Sequence, residues 1–454
     1  MKLRKLWVEL RGSFWFAPSL IIIFSVALAL GLIDAESLVA SETLAKWPRL
    51  FGAGAEGSRG MLAAIAGSVI TVAGVAFSIT VVTLTLASSQ YTPRILRNFM
   101  RDRANQVVLG VFVGVFAYCL IVLRAIRGGD DSFVPSLATL GGFILALVSV
   151  GVLIFFIHHI ALTIQASTII ASIAEETTEA IDRLFPEELG HEGDEGESEK
   201  PEVRLTSLPW RPVTAPRSGY IQNVDNEALL RSAHDLRSVI RMERGVGEFV
   251  VEGAPLVSIS SEVDPDRETI RRLRKAYAID RYRTVEQDAG FGIRQIVDVA
   301  LKALSPGIND TTTAVMCVDY LTAILARLAR RRIPSRYRFN EGELRVIARG
   351  PTFERMLHAF DQIRRDAESK VAVIVRILDG LQILATETRG ARRRRALWLQ
   401  LEALNETAER AVISPRDRSV IKERVDRVAK RLNEVELSEY LSFRREEETK
   451  GPGS

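Results

Sequence analysis

Four stretches in the first 160 residues run apolar without a charged side chain: Phe14 to Ile33, Met61 to Ala87, Gln106 to Leu123 and Val134 to Ile157. Each meets the length needed to cross a bilayer as a helix, about 20 residues. The second run stays free of charge from Met61 to Gln90, thirty residues. As a helix rising 1.5 Å per residue it is roughly 45 Å long, against a hydrocarbon thickness of ~30 Å. The pattern therefore predicts a span over about 61–90 that projects beyond the bilayer or tilts strongly. Small residues recur in it every seven positions: Gly60, Gly67 and Gly74 form one stripe, and Ser68, Thr71, Ser78, Thr85 and Ser89 form the next. A glycine stripe lets helix backbones approach closely, and the hydroxyl stripe can face a partner helix or water.

After the fourth span (about 134–157) no breaker interrupts the chain through His158, His159 and Gln165 toward Ala180, which predicts a helix that leaves the membrane. Pro186 and the Gly- and Glu-rich stretch 191–200 end it, so 161–202 reads as a helical extension and acidic linker. From Val203 the texture changes to short alternating segments divided by Pro and Gly, a strand signature. The phrases Ser218 to Asp225 and Gly247 to Ile259 resemble the two halves of a small biotinyl- or lipoyl-carrier barrel. No lysine lies between Pro201 and Arg274, so a swinging-arm role is excluded and a structural or docking barrel is left. Asn226 to Ile240 reads as an inserted helix with Leu229, Leu230, Ala233 and Leu236 on its apolar side. Beyond 263 the pattern is helical, with candidates at Arg283–Ala303, Thr311–Arg330 and a long one at Pro351–Thr386. Gly451 to Ser454 resembles an expression-vector scar. The expected fold is an α-helical membrane protein with four transmembrane helices in residues 1–160 and a cytoplasmic α+β region. That region comprises a small β-barrel or sandwich at 203–262 and a helical domain at 263–450.

At 454 residues the chain exceeds one compact domain, and its 47% hydrophobic content is concentrated before residue 160. The first span shows no small-residue cleavage site before Asp34, which argues for a retained anchor. Lys2, Arg4, Lys5 and Arg11 precede that span, and Arg94, Arg97, Arg101 and Arg103 fill the second loop. Both segments are therefore expected in the cytoplasm. An even number of spans places the N- and C-termini together there, in the bacterial inner membrane. Cys119 and Cys317 offer no disulfide framework and suit a reducing compartment. A formal net charge of +4 is ordinary for an inner-membrane protein whose basic loops face the lipid bilayer, and it does not call for nucleic acid.

The chemistry offers two readings at each motif. Serine and threonine in membrane helices return their hydroxyls to backbone carbonyls one turn back, so packing alone explains Ser68, Thr71, Ser78, Thr85 and Ser89. The same stripe can line a passive path. No Asp, Glu, Lys or Arg lies within the spans, which disfavours ion-coupled transport. Arg94, Arg97 and Arg101 are either positive-inside residues on lipid phosphate or, in a symmetric oligomer, a basic ring at the inner mouth. In the cytoplasm, Glu286, Gln287, Asp288, Arg294 and Asp298 form the densest polar cluster, followed by Ser305-Pro-Gly-Ile-Asn309-Asp310. Arg294 and Asp298 stand at the favourable spacing of four, and Asn309 or Asp310 can cap the next helix. A salt-bridge network accounts for the cluster, and so does a site for a small polar or anionic effector at a capped helix start. The runs Arg330–Arg332 and Arg392–Arg395 read as solvated helix ends or membrane-facing patches. No P-loop, zinc-spaced pair, nucleophile elbow or dinucleotide fingerprint occurs, so neither enzymatic chemistry, cofactor nor metal is expected.

The stretches Ala76 to Arg94, Glu286 to Gln295 and Ser305 to Asp310 resemble a bacterial family of predicted membrane proteins, domain of unknown function 2254. The resemblance implies four N-terminal spans and a soluble C-terminal part, and it brings no activity to carry over. The residues themselves favour a homo-oligomeric channel with the second span along the path and the cytoplasmic region as scaffold or sensor. The alternatives are a non-conducting anchored scaffold or signalling protein and, more weakly, a lipid- or solute-handling transporter.

Overall fold

The computed structural model describes residues 15–36, 54–90, 103–127, 133–185, 209–285 and 287–449, with the side chains of 36, 87–90 and 435–449 set aside. The chain divides into two compact units, Met1–Thr168 and Ile169–Ser454.

The first unit is a bundle of α1 (Phe16–Glu36), α2 (Ala55–Gln90), α3 (Arg103–Ala125) and α4 (Ser136–Thr163). All four are long and apolar enough to cross a membrane. So, by length and composition, is α9 (Thr311–Ala329) of the second unit, which carries Asp319 and Arg327 and packs on two helices of that unit described below. Helix α3 is the hub, packing on α1, α2 and α4. Its Gly110 and Gly114 face α1 closely. A Cβ at Gly110 would lie 2.9 Å from the Pro18 Cα, and one at Gly114 would lie 2.6 Å from the Ser25 Oγ. On α4, Gly141 leaves room for Tyr118, whose hydroxyl donates to the Ala138 carbonyl at 2.7 Å, so the buried phenol keeps a partner inside the bundle.

Helix α2 turns Leu62, Ala66, Val69, Ala73 and Ala76 inward. Gly60, Gly67 and Gly74 fall on the opposite side of the helix at 3.6 residues per turn, and nothing lies within 4 Å of their Cβ positions. Among the described residues the glycine stripe of α2 thus packs on nothing inside its own bundle. The close approach expected there occurs at Gly110-x-x-x-Gly114 of α3.

The second unit begins with α5 (Ala166–Leu184), whose first residues close the preceding unit, and continues with an α+β assembly. Its strands are β1 (Trp210–Thr214), β2 (Gly219–Val224), β3 (Ile240–Met242), β4 (Phe249–Val250), β5 (Pro255–Ser260), β6 (Tyr277–Asp280), β7 (Tyr337–Asn340) and β8 (Glu343–Ile347). They form a five-stranded sheet in the order β1-β5-β3-β8-β7 and a three-stranded sheet in the order β4-β2-β6. All pairings are antiparallel except β3 with β8. Among the described residues neither sheet closes: of the expected barrel or sandwich, a closed barrel is not formed, and two open sheets share one core that includes Ile221, Ile240, Leu256, Val257 and Ile279. Strands β6, β7 and β8 lie in the stretch 263–450 that the sequence pattern makes helical. The short Tyr337–Ile347 hairpin turns at Glu341-Gly342, both at positive φ, and its few alternating residues give too little period to stand out.

Between β2 and β3 sits α6 (Asn226–Asp235), capped by Asp225 at 2.9 Å and burying Leu229 and Ala233, as its apolar side predicts. After α7 (Arg267–Lys275) come α8 (Ala289–Leu304) and α9, then α10 (Phe353–Leu357), α11 (Ala359–Asp366), α12 (Val371–Glu387), α13 (Ala391–Ala411) and α14 (Pro415–Thr449). Helix α9 packs between α8 and α12, and α12 also packs on α14. The single helix expected at Pro351–Thr386 is three. Thr352 caps the first, and a turn in which the Lys370 N–H donates to the Ala367 carbonyl separates α11 from α12.

Substituting Gly114 by Leu in α3 forces α1 outward and is expected to cost about 1–3 kcal/mol of overpacking, measured by thermal unfolding in detergent. Gly67→Ala on α2, where space is open, is expected to leave the unfolding temperature of the monomer unchanged or raised, because alanine favours the helix.

Candidate functional site

Two places carry the residues singled out from the sequence. On α2, Ser68, Thr71, Ser78 and Thr85 are all exposed in the single chain. The Thr71 hydroxyl donates to the Gly67 carbonyl at 2.8 Å and that of Thr85 to the Val81 carbonyl at 2.9 Å. These hydroxyls are satisfied within their own helix. Ser89 belongs to α2, but its side chain is outside the described residues, as are Arg94, Arg97 and Arg101.

The second place is a cavity of about 440 Å³ in the second unit. Its walls are the turn Gly245–Glu248 before β4, the start of α8, the segment Arg349–Pro351 after β8, and α10–α11. Asp288 caps α8 by accepting from the Phe291 N–H at 3.1 Å and holds Arg283 at 2.7 Å. The Arg283 guanidinium lies 5.0 Å from the Phe291 ring centre. Arg294 is bound to Asp298 at 2.8 Å and donates to the Gln362 side-chain oxygen at 2.5 Å. A single oxygen of Glu248 accepts a hydrogen bond from Arg349 at 2.8 Å and forms an ion pair with Arg355 at 3.6 Å. Gly245 and Gly247 allow the turn to come this close: a Cβ at Gly245 would lie 2.6 Å from the Arg349 carbonyl, and one at Gly247 would overlap the Asp288 carboxylate. Gly247 also has φ +81, a conformation that favours glycine.

The expected cytoplasmic cluster is therefore split. Gln287, Asp288 and Arg294 line the cavity, with Asp298 behind Arg294. Glu286 is outside the described residues. Asn309 and Asp310 lie past the far end of α8. Asn309, at φ +52, accepts from Lys370 at 2.5 Å. Asp310 caps α9 through the Thr313 amide and hydroxyl at 3.0 and 2.5 Å, and the hydroxyl bond, with that amide behind it, holds its carboxyl below the usual range. Arg283 opens the polar cluster marked in the sequence, whereas Glu248, Arg349, Arg355, His358 and Gln362 escaped the sequence reading. Their signal was the pair of glycine turns, Arg244-Gly-Val-Gly247 and Arg349-Gly-Pro351, which a one-dimensional pattern does not bring together.

The arginine runs are structural in part, which corrects their reading as solvated ends. Arg331, Arg393 and Arg394 are buried, while Arg332, Arg392 and Arg395 are exposed. Arg393 donates to the Ala329 and Arg331 carbonyls at 3.0 and 3.1 Å and so caps the C-terminus of α9. Asp182 of α5 accepts both nitrogens of Arg327, at 2.8 and 3.0 Å, and Arg331 at 2.7 Å. The Arg327 hydrogen bond foremost, with the charges of both arginines, pulls the Asp182 carboxyl below its ordinary value.

The sequence profile described as predicted membrane protein, domain of unknown function 2254, matches residues 11–382. The chain belongs to that family. This family member is also 33% identical over 421 residues to an uncharacterized protein of Mycobacterium bovis and to uncharacterized proteins of Mycobacterium tuberculosis strains CDC 1551 and H37Rv. Each alignment covers 91% of the chain and 79% of the relative. No solved structure matches it.

Because the Asp182 pKa is lowered on folding, its stabilising contribution is present above the ordinary carboxylate value and disappears as the pH falls through the lowered one. Asp182→Asn in this family member is expected to lose about 1 kcal/mol at neutral pH, the size of a partly exposed, screened pair. In pH-resolved thermal melts the gap to the parent closes below about pH 4.

Proposed function

We propose that the protein is a homo-oligomeric channel of the bacterial inner membrane, with α1–α4 as its four spans and both termini in the cytoplasm. In this reading the α2 helices of several copies meet at a common axis. The glycine stripe sits at the contact between copies, and Ser68, Thr71, Ser78, Thr85 and Ser89 lie beside the path. Arg94, Arg97 and Arg101 follow α2 at the inner mouth, where they concentrate anions and repel cations. The α+β region serves as scaffold and as sensor for a small polar or anionic effector, and the protein catalyses no reaction.

One observation carries this reading. The side of α2 that bears Gly60, Gly67 and Gly74 is opposite its buried side and has open space at every glycine. Hydrocarbon chains gain nothing from a small-residue stripe, whereas a second helix does.

A non-conducting anchored scaffold is the second reading, and the back-bonded hydroxyls of Thr71 and Thr85 favour it, since they need neither water nor ion. Purified protein in planar bilayers separates the two. The channel reading expects discrete conductance steps, reduced about tenfold or more in Ser78→Leu while the oligomer keeps its size. Silent bilayers from correctly assembled protein favour the scaffold.

A further inference from the structure

The arginine-lined cavity of the second unit is large and polar for a mere packing defect. Its volume of about 440 Å³ falls within the range of small-molecule sites, roughly 300–1,000 Å³. Among the described lining residues, four guanidiniums, those of Arg283, Arg294, Arg349 and Arg355, stand against the carboxylates of Glu248 and Asp288, with Asp298 behind Arg294. The imbalance is sharpest at one end. Arg349 and Arg355 share one oxygen of Glu248, and both side chains stay about half exposed or more, at 49% and 66%. The far rim adds His358, held by Asp361 at 2.6 Å. The remaining wall is the α8 start, where Asp288 caps the Phe291 amide and holds Arg283, and the turn that Gly245 and Gly247 let pack against the Arg349 carbonyl and the Asp288 carboxylate.

We propose that this cavity binds a phosphate-bearing ligand, with Arg349 and Arg355 taking the phosphate. Guanidiniums bind phosphate oxygens in pairs of parallel hydrogen bonds. The proposal names the effector class of the sensor role above and is independent of conduction. The α8 start also packs on α5: the Thr177 hydroxyl occupies the Cβ position at Gly292, and Ala180 packs with Phe291 of the first turn.

Isothermal titration of the full-length protein in detergent with inorganic pyrophosphate and with ADP tests the soluble source, and nanodiscs with or without phosphatidic acid test a lipid headgroup. Saturable binding of at least one is expected, weakened about tenfold or more in Arg355→Gln, which removes one charge-assisted phosphate contact. The unfolding temperature of that exposed variant stays unchanged. Glu248→Gln removes the competing carboxylate and is expected to tighten the same ligand severalfold, an outcome that misfolding does not produce. Binding of phosphatidic acid alone assigns the phosphate to lipid; binding of pyrophosphate or ADP assigns it to a soluble ligand. Absence of binding to all three, or equal affinity in the parent and Arg355→Gln, overturns the proposal. Conductance is read in separate bilayer recordings, so a failed channel and a failed site give different results.

Discussion

Helices in hydrocarbon gain no hydrophobic free energy by meeting one another, so the membrane unit depends on how closely its backbones can approach. That approach is set at Gly110 and Gly114 of α3, which bring α1 to within contact of the α3 backbone. Gly141 then makes room for Tyr118, and the phenol's hydrogen bond to Ala138 locks α4 to the same hub. With α3 supplying the close contacts, α2 joins the bundle through ordinary Leu, Val and Ala packing. Its glycines are left on the outer side, and it is their position there that supports self-association.

The second unit uses charge where the first uses shape. Arg393 terminates α9, Asp182 gathers Arg327 and Arg331, and Glu387 takes the Arg330 fork at 2.6 and 2.8 Å. These contacts tie α5, α9, α12 and α13 together, because buried guanidiniums must be matched by oxygens. Around the cavity the matching is incomplete: Glu248 serves two arginines that remain exposed to solvent. The scaffold arginines Arg327, Arg331 and Arg393 are tied to protein oxygens, whereas Arg349 and Arg355 of the candidate site face solvent.

Much of this was legible in the chain. Uninterrupted apolar length gave α1 to α4, the Asp225 cap and leucine spacing gave α6, and Arg294 with Asp298 formed the ion pair their spacing implied. What escaped depended on distance in sequence. The five-stranded sheet recruits β8 to β3 from about a hundred residues away, and no local period announces such a pairing. The cavity joins residues 245–248 to 283–294 and 349–362 in the same manner. The glycines left the partner open, because a seven-residue repeat marks a seam without saying whether the partner is in the same chain. Here the intrachain seam fell on the shorter Gly110-x-x-x-Gly114 phrase, and the arginine runs looked solvated because burial of a charge is decided by tertiary partners.

The central claim, that the glycine face of α2 meets other copies, is tested most directly by disulfide cross-linking in native membranes. Gly67→Cys and Gly74→Cys are placed singly in a Cys119→Ala, Cys317→Ala background and oxidised, with Leu147→Cys on the exposed side of α4 as comparison. The account predicts covalent dimers at 67 and 74 and none at 147. Monomers at 67 and 74 under conditions that oxidise a free thiol contradict it.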